Sequence, residues 1–318
     1  MRALVMDERV RLATDHPRPS RPAGAARIRV RLAGICDTDI QLSRGYMGFR
    51  GVLGHEYVGE VTECDEPEWL GRRVVADINA GCGRCAECLQ RDGHHCPTRT
   101  VVGILGRDGA LAEEVVVPER CLRAVPDAIR DDHAVFAEPL AAAAHVLDAL
   151  SVGPERVVVI GDGKLGLLTA RALILGGHQV SVVGHHEQKL QIARLFGAEA
   201  QLESAVDTRA LLADASVDAT GSARGIALAI ALTRPRGTVV LKTTVAGPTP
   251  VDLSPVVVNE LTVVGSRCGD MSRALELLHQ VDPTPLITAR YPLDQAEQAF
   301  QHACTRGALK VLVEPGSA

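Results

Sequence analysis

The stretch VVVIGDGKLGLLTARAL, residues 157–173, decides the fold of the second half of the chain. A β-branched apolar run leads into Gly161, Gly163 and Gly166, which form the pattern G-x-G-x-x-G, and an apolar helical segment follows. This order of strand, glycine-rich turn and helix is typical of a dinucleotide-binding domain. The first glycine allows a tight turn, the second lets a pyrophosphate approach the backbone, and the third lets helix and strand pack closely.

The amide groups at the start of that helix are the expected phosphate-binding groups. Backbone N–H groups at a helix N-terminus have no partner within the helix and lie at the positive end of its dipole. In this sequence the helix begins near Lys164 and Leu165. We therefore predict that these two residues, together with the three glycines, bind the phosphates of a dinucleotide.

Residues 139–267 continue the same alternation of strand and helix. The runs QVSVVG (179–184), GTVVLKTT (237–244) and LTVVGS (261–266) are short and β-branched, as buried parallel strands are. Between them lie helical segments, among them the Ala-rich GIALAIALTRPRG at 225–237. The pattern predicts a doubly wound parallel-sheet α/β domain of the Rossmann type.

The N-terminal third has a different pattern. Short strands such as ARIRVRLAGIC (26–36), VLGHEYVGEVTEC (52–64) and GRRVVADIN (71–79) are separated by Gly, Pro and Asp, and helical periodicity is nearly absent. This predicts a mostly antiparallel β domain. The C-terminal segment is too short to fold alone, so we expect residues 1–138 and 268–318 to form one domain.

Composition and charge exclude several classes of function. A chain of 318 residues favours two domains over one. A net charge of −5 without a basic block argues against nucleic acid or an anionic membrane as partner. No apolar run approaches the roughly 20 residues of a membrane span, and the N-terminus lacks the apolar core of a signal peptide. We therefore expect a cytoplasmic protein.

Four cysteines lie within the fifteen residues CGRCAECLQRDGHHC, at 82–96. Disulfide pairs, a single metal ion and unligated surface thiols are the three interpretations. Structural disulfides are rare in the cytoplasm, and four thiolates complete the tetrahedral shell of a structural zinc ion. A four-sulfur iron site is geometrically possible, but zinc is the commoner ion in such a loop. The expected zinc ligands are Cys82, Cys85, Cys88 and Cys96.

A second set of metal-binding side chains is dispersed along the chain. GICDTD (34–39) and GHEYVG (54–59) each place a potential ligand, Cys36 and His55, at the end of an apolar strand. Glu138 lies just ahead of a helical segment. Together these three supply the sulfur, nitrogen and oxygen donors of a catalytic zinc site with an open fourth position.

The motifs GICDTD, GHE, the four-cysteine loop, AEPL (137–140) and VVVIGDGKLG (157–166) follow one another in this order. Together they resemble the zinc-containing medium-chain alcohol dehydrogenases over nearly the whole chain. The resemblance implies a GroES-like catalytic domain with two zinc sites, joined to a Rossmann domain. It also implies Cys36, His55 and Glu138 as ligands of the catalytic zinc, with Glu138 in the position of a second cysteine, as in the polyol and threonine dehydrogenase branches.

The same resemblance assigns roles to residues near these ligands. Glu56 is expected to support the zinc site or to serve as an exchangeable fourth ligand. Asp39 is expected to accept a hydrogen bond from His55 and so fix its tautomer. Thr38 is implied as the first group that receives the substrate proton. Many relatives carry a histidine three residues beyond this threonine, where this chain has Gln41, which cannot titrate.

The end of the second Rossmann strand bears on the choice of nicotinamide cofactor. An NAD site needs an acid about 20 residues after the glycine loop to hold the ribose hydroxyls. By resemblance that position is Gly184, so no carboxylate is expected there to repel a 2′-phosphate. His185 and His186 follow and can donate hydrogen bonds to one. We therefore predict NADP(H) as the preferred cofactor, with NAD(H) as the alternative.

Two more residues are implied as cofactor contacts. In GALKVLV, near the C-terminus, Lys310 occupies the position of a basic residue that binds the pyrophosphate in relatives. In VDATGS, at 217–222, Thr220 is expected near the nicotinamide.

These features predict an NAD(P)-dependent alcohol dehydrogenase or carbonyl reductase with two zinc ions per chain. A zinc-independent quinone or enone reductase of the same fold and a non-catalytic cofactor-binding protein are the alternatives. The three zinc ligands argue against the former, since hydride delivery to a conjugated alkene needs no Lewis acid. We expect a small alcohol or carbonyl substrate, an active site in the cleft between the domains, and a homodimer or homotetramer, because relatives associate through the cofactor domain.

Overall fold

The computed structural model describes residues 1–316 except 152, 154 and 245–249. It divides into two compact units, Met1–Glu138 with Met271–Ala318, and Pro139–Asp270. The assignment of catalysis to the first unit and of cofactor binding to the second stays a prediction. The longest described helix has 12 residues, and no described helix is long and apolar enough to span a bilayer.

Strands and helices are numbered along the chain. Residues 1–136 contain the strands β1 (Ala3–Met6), β2 (Val10–Ala13), β3 (Ala25–Ile35), β4 (Gly51–Val52), β5 (Glu56–Glu63), β6 (Arg73–Ala76), β7 (Asn79–Ala80), β8 (Thr100–Val101), β9 (Glu114–Pro118) and β10 (Leu122–Ala124). The helices of the same segment are α1 (Asp37–Ser43), α2 (Ala86–Gln90) and α3 (Asp131–Ala134).

Residues 137–270 contain the strands β11 (Arg156–Ile160), β12 (Gln179–Gly184), β13 (Glu199–Leu202), β14 (Ala213–Asp218), β15 (Thr233–Leu241) and β16 (Thr262–Gly265). Their helices are α4 (Ala137–Ala144), α5 (Lys164–Leu175), α6 (Glu187–Leu195), α7 (Gly225–Leu232) and α8 (Ser254–Val258). Residues 271–316 contain α9 (Met271–Leu277), β17 (Ile287–Pro292), α10 (Ala296–Ala303) and β18 (Lys310–Glu314). Short 3₁₀ turns lie at Tyr46–Gly48, Pro67–Trp69, Glu119–Cys121, His145–Ala149, Glu203–Ala205, Thr284–Leu286 and Leu293–Gln295.

The main sheet of the first unit has the strand order β10-β6-β5-β3-β18-β17, and β9 also pairs with β3. Its pairs are antiparallel except for β17 with β18. Gly34 near the end of β3 lies opposite Glu56 at the start of β5. Ile35 lies opposite Val311, the second residue of β18. The register therefore brings the residues that leave β3 next to those that enter β5 and β18.

The sheet of the second unit has the strand order β13-β12-β11-β14-β15-β16, and all its pairs are parallel. Counted along this unit the order is 3-2-1-4-5-6, which is that of the Rossmann fold. A mostly antiparallel β unit and a Rossmann sheet together confirm the predicted α/β fold class.

The glycine loop between β11 and α5 has the geometry that its sequence predicts. Gly161 has φ +116°, a conformation that side chains other than glycine rarely adopt. A Cβ atom on Gly166 would lie 2.1 Å from the carbonyl oxygen of Gly161, so only glycine fits this contact. A Cβ on Gly163 would meet no atom of the described residues within 4 Å. The loop is therefore closely packed between Gly161 and Gly166 and accessible at Gly163.

Two local predictions differ from the structure. The helix predicted at 225–237 ends at Leu232, and the following residues form the start of β15. Pro235 explains this difference, because proline has no N–H group and disfavours helical backbone in the residue before it. His55, predicted at the end of a strand, instead lies directly before the first residue of β5.

Candidate active site and metal centres

Three potential metal ligands meet where β3 ends and β5 begins. Donor atoms of Cys36, His55 and Glu56 all lie within 4.8 Å of one another. Cys36 follows the last residue of β3 and precedes α1, and the antiparallel register places it beside the start of β5. His55 and Glu56 are buried, whereas Cys36 is only half-buried. The cluster is therefore reachable from the side of the cysteine.

Asp39 connects the two chain segments that carry these ligands. Its Oδ2 accepts a hydrogen bond from the backbone N–H of Cys36 at 2.8 Å, and its Oδ1 accepts one from the N–H of Gly54 at 3.1 Å. The Nδ1 atom of His55 lies 3.4 Å from Oδ1, which is longer than an ordinary hydrogen bond. Asp39 therefore acts on His55 through its charge and through the backbone on both sides, and the predicted direct hydrogen bond between the two side chains stays a prediction.

The surroundings of His55 favour a positive charge. Burial by itself lowers the pKa of His55, but the negative groups of Asp39 and Cys36 outweigh burial and raise this pKa well above its ordinary value. A pocket that favours a proton on an imidazole also favours a metal cation beside it. Sulfur, imidazole and carboxylate are donors that zinc accepts, so the residues present fit a zinc ion.

Glu56 forms an ion pair with Lys310 at the base of this cluster. Oε2 of Glu56 contacts Nζ of Lys310, and neither side chain has exposed surface. The Lys310 Nζ also lies 5.4 Å from the ring centre of Phe136. Oε1 of Glu56 is buried without a hydrogen-bond partner among the described residues. One carboxylate oxygen is thus neutralised by lysine, and the other remains available to a cation.

The pyrophosphate contact that resemblance implies for Lys310 stays a prediction. What the structure adds is a partner for Lys310, whose side chain has no exposed surface and pairs with the carboxylate of Glu56. The sequence contains one modest signal that Lys310 is buried and paired, and it was missed. Lys310 is the first residue of a strand whose next three residues are also buried, and a lysine in such a run needs a partner.

Replacing Lys310 by methionine is expected to lower the free energy of unfolding by about 3–5 kcal/mol, because the carboxylate of Glu56 would be left buried and unpaired. Chemical denaturation measures this change. The double variant Lys310→Met with Glu56→Gln is expected to recover most of the loss. Lys189→Met, at a half-buried site on α6, serves as the matched control with a change of about 0.5 kcal/mol or less. A single variant as stable as the wild type would contradict the pairing.

Glu138 and Thr38 complete the list of predicted active-site residues. Glu138 lies in the first turn of α4 and is not one of the three residues whose donor atoms converge. The structure thus groups Glu56, rather than Glu138, with Cys36 and His55. The Thr38 hydroxyl lies 3.7 Å from the Cys36 sulfur, beside the half-buried ligand.

The four clustered cysteines lie together in the loop around α2. Their sulfur atoms are all within 4.8 Å of one another. The Cys82–Cys88 and Cys85–Cys88 sulfur distances are 4.0 and 3.5 Å, far beyond the roughly 2.05 Å of a disulfide bond. Two sulfurs bound to one tetrahedral zinc lie roughly 3.8 Å apart, since each bond is about 2.3 Å. These distances fit a shared ion and do not fit disulfides.

The electrostatics of the loop support the same conclusion. Backbone N–H groups of Arg84 and Cys85 lower the pKa of the Cys82 thiol to about 6. The N–H of Cys88 favours the thiolate of Cys85, but burial and the neighbouring sulfurs outweigh it and raise the Cys85 pKa to about 11. The backbone N–H of Cys82 likewise lowers the pKa of the Cys96 thiol, so the loop favours thiolates at Cys82 and Cys96 and disfavours one at Cys85 between them. A divalent cation removes that conflict.

The glycine loop and the first turn of α5 carry four of the predicted cofactor contacts. Gly161 and Gly163 precede Lys164, the first residue of α5, and Leu165 lies next to it in the first turn. Thr220 follows β14, and its N–H and hydroxyl group donate to Oδ1 of Asp218 at 3.0 and 2.8 Å. Among the residues that the structure describes, none comes within 4 Å of a Cβ placed on the middle glycine, as the approach of a pyrophosphate requires.

The end of β12 holds a residue that the sequence analysis missed. Asp162, in the middle of the glycine motif, is buried, and its Oδ2 accepts hydrogen bonds from the N–H groups of His185 and His186 at 2.8 and 2.6 Å. A Cβ atom on Gly184 would lie 2.6 Å from that oxygen. The premise that no carboxylate lies at this point is therefore wrong. Its sequence signal was an acid between the first two glycines.

Comparison with known proteins agrees with the geometry. Residues 22–127 match the model of the alcohol dehydrogenase GroES-like domain, and residues 165–281 match that of the zinc-binding dehydrogenase. An L-threonine 3-dehydrogenase from Streptomyces avermitilis is 30% identical over 333 residues, which cover 94% of each chain.

Solved structures carry both nicotinamide cofactors on this fold. A zinc-binding dehydrogenase from Sinorhizobium meliloti 1021, bound to NADP, is 27% identical with a TM-score of 0.88 and 99% of each chain covered. A short chain alcohol dehydrogenase from Escherichia coli CFT073, complexed with NADH, is 25% identical with a TM-score of 0.89 and the same coverage. The fold, the order of the sequence motifs and these matches all indicate the same family. The chain is an oxidoreductase and belongs to the zinc-containing medium-chain dehydrogenase family.

Proposed function

We propose that this protein is a zinc-dependent alcohol dehydrogenase or carbonyl reductase that transfers a hydride between a small alcohol or carbonyl substrate and a nicotinamide cofactor. The observation that carries this proposal is the convergence of Cys36, His55 and Glu56 within 4.8 Å in an electronegative pocket. A glycine loop open at Gly163 in the same chain supports the cofactor part of the proposal.

The proposed catalytic zinc is held by Cys36, His55 and one carboxylate. Glu56 is favoured as that carboxylate because its Oε1 is buried and without a hydrogen-bond partner among the described residues. Glu138 is the alternative, either alone or in exchange with Glu56. Zinc, when bound, supplies a Lewis acid that lowers the pKa of a nearby hydroxyl group. A second, structural zinc is proposed at the four-cysteine loop.

The protein's own groups hold the site and move the proton. Asp39 fixes the backbone on both sides of the ligand pair through its bonds to Cys36 and Gly54. We assign Oγ1 of Thr38, beside the Cys36 sulfur, as the first acceptor of the substrate proton. Gln41, one turn further along α1, cannot titrate, so the proton leaves Thr38 through another hydroxyl group or through water.

The cofactor is proposed as NAD(H) or NADP(H). The preference for NADP(H) predicted from the sequence relied on two histidines and on the absence of an acid near residue 184. The carboxylate of Asp162 now lies at that point, so the preference is not carried into this proposal.

A substrate panel combined with metal analysis tests the proposed function. The purified protein is expected to contain about two zinc ions per chain and to oxidise or reduce members of a panel of L-threonine, polyols, primary alcohols and aldehydes. The change in nicotinamide absorbance with NAD and with NADP measures turnover. About one zinc per chain with turnover only of quinones or enones would favour a zinc-independent reductase. Zinc and cofactor binding without turnover would favour a non-catalytic protein.

We also infer a homodimer or homotetramer in the cytoplasm. Leu253, Val257, Val258 and Val263 are exposed on or beside α8 and β16, and β16 is an edge strand of the Rossmann sheet. An exposed apolar edge is a typical surface for association, and light scattering measures the oligomeric state.

The inferred cytoplasmic location has a separate basis. The cytoplasm is a reducing compartment, which suits a site of four thiolates.

A further inference from the structure

The side chain of Asp162 occupies the place from which a cofactor-selecting acid usually extends. In the Rossmann fold the acid that holds the ribose hydroxyls of NAD lies at the end of the second strand. Here that strand is β12, and its last residue is Gly184. A Cβ atom on Gly184 would lie 2.6 Å from both Cβ and Oδ2 of Asp162. A carboxylate is thus present at this point, but it comes from the glycine loop.

The backbone groups that would receive an anion here are already in use. The N–H groups of His185 and His186 are the amides that follow β12, and both donate to Oδ2 of Asp162. Consecutive backbone N–H groups of this kind form an anion-binding concavity. In this chain the anion that occupies this concavity is the carboxylate of Asp162.

The two histidines also have acidic partners. Nδ1 of His186 lies 3.0 Å from Oδ2 of Asp162, and Nε2 of His185 lies 3.2 Å from a carboxylate oxygen of Glu203. The predicted phosphate-binding role of these histidines therefore competes with two carboxylates. Nδ1 of His186 also lies 3.2 Å from Oδ1 of Asp162, so both histidines face carboxylates, whereas a 2′-phosphate needs positive or unoccupied donors.

We propose that Asp162 is the cofactor-selecting residue of this protein: its carboxylate, supplied from the glycine loop, receives the ribose hydroxyls and excludes a 2′-phosphate, so the protein prefers NAD(H). This inference rests on the proposed nicotinamide-dependent function. The physical basis is charge, since a phosphate monoester carries about −1.5 to −2 at neutral pH and would approach a fixed carboxylate whose neighbouring N–H groups are already engaged.

Direct binding of NAD and NADP to the holoenzyme, without substrate, tests the proposal by calorimetry. The wild type is expected to bind NAD at least tenfold more tightly than NADP, a difference of about 1.4 kcal/mol. Asp162→Asn, which keeps the size of the side chain and removes its charge, is expected to reduce the ratio of the two affinities about tenfold, mainly by tighter binding of NADP. Glu203→Gln is the matched control at an exposed carboxylate, with a smaller change in the ratio.

The ratio of affinities separates selection from a structural role. A loop that is merely loosened would weaken both cofactors together and leave their ratio unchanged. Tighter binding of NADP by the wild type would overturn the proposal without any variant, as would an unchanged ratio in a folded Asp162→Asn protein. If alcohols are turned over with NADP as the preferred cofactor, only this proposal fails. If neither cofactor binds, the proposed function fails with it.

Discussion

Replacing Cys36 by serine is expected to lower kcat/KM with alcohols by about 10⁴-fold or more, which corresponds to the several kcal/mol that a Lewis acid contributes to such a reaction. A serine hydroxyl is a neutral and hard donor, so the variant loses the thiolate that holds the proposed catalytic zinc. Zinc content is expected to fall from about two to about one per chain. Steady-state kinetics and metal analysis measure the two effects.

The fold is expected to survive this substitution. Cys36 is half-buried. Asp39 accepts its hydrogen bonds from the backbone N–H groups of Cys36 and Gly54, so these bonds do not depend on the Cys36 sulfur. The free energy of unfolding is therefore expected to change by about 1 kcal/mol or less. Cys304→Ser, at an exposed cysteine of the same unit, is the matched control and is expected to leave rate and zinc content unchanged. Normal turnover in Cys36→Ser would rule out the proposed mechanism.

Replacing Cys85 by serine is expected to lower stability much more than it lowers the intrinsic rate. The loop at 82–96 contains only one short helix, α2, of five residues, and it has little apolar surface of its own to bury. Losing a structural metal is among the largest single-residue effects, about 5 kcal/mol, and each kcal/mol shifts Tm by roughly 2–4 °C in domains of this size. We therefore expect an apparent Tm lower by roughly 10 °C or more in thermal melting.

The two cysteine variants form a reciprocal pair. Each is expected to lose about one zinc ion, but Cys36→Ser loses rate and Cys85→Ser loses stability. Initial rates for Cys85→Ser, measured well below its melting temperature, are expected to stay within about tenfold of the wild type, because the loop contributes no ligand to the Cys36 cluster. Unchanged zinc content and Tm in Cys85→Ser would show that the four sulfurs hold no structural metal.

Local patterns in the sequence were sufficient for the fold and for two of its features. The glycine motif predicted the turn between β11 and α5, because glycine is required there by neighbours only five residues apart, Gly161 and Gly166. The four-cysteine loop was predictable for the same reason, since all its ligands lie within fifteen residues. Alternating runs of β-branched residues predicted the parallel sheet, because each strand is bounded by its own local signals.

Contacts between distant segments were decided only by tertiary structure. Lys310 and Glu56 are 254 positions apart, and they meet because β18 and β5 pair with opposite edges of the same strand, β3. The antiparallel register of β3 and β5 likewise places Glu56, rather than Glu138, within the group that includes Cys36 and His55. Neither register can be read from the spacing of residues along the chain.

The end of β12 shows, at a single site, both what the sequence determines and what only the tertiary structure decides. The sequence by itself determined that residue 184 is glycine and that two histidines follow it. Only the folded chain brings the carboxylate of Asp162 across to their amide groups, 23 and 24 residues away. Local conformation follows from the properties of neighbouring residues, whereas the charge at a site depends on every side chain that the packing of strands and helices brings to it.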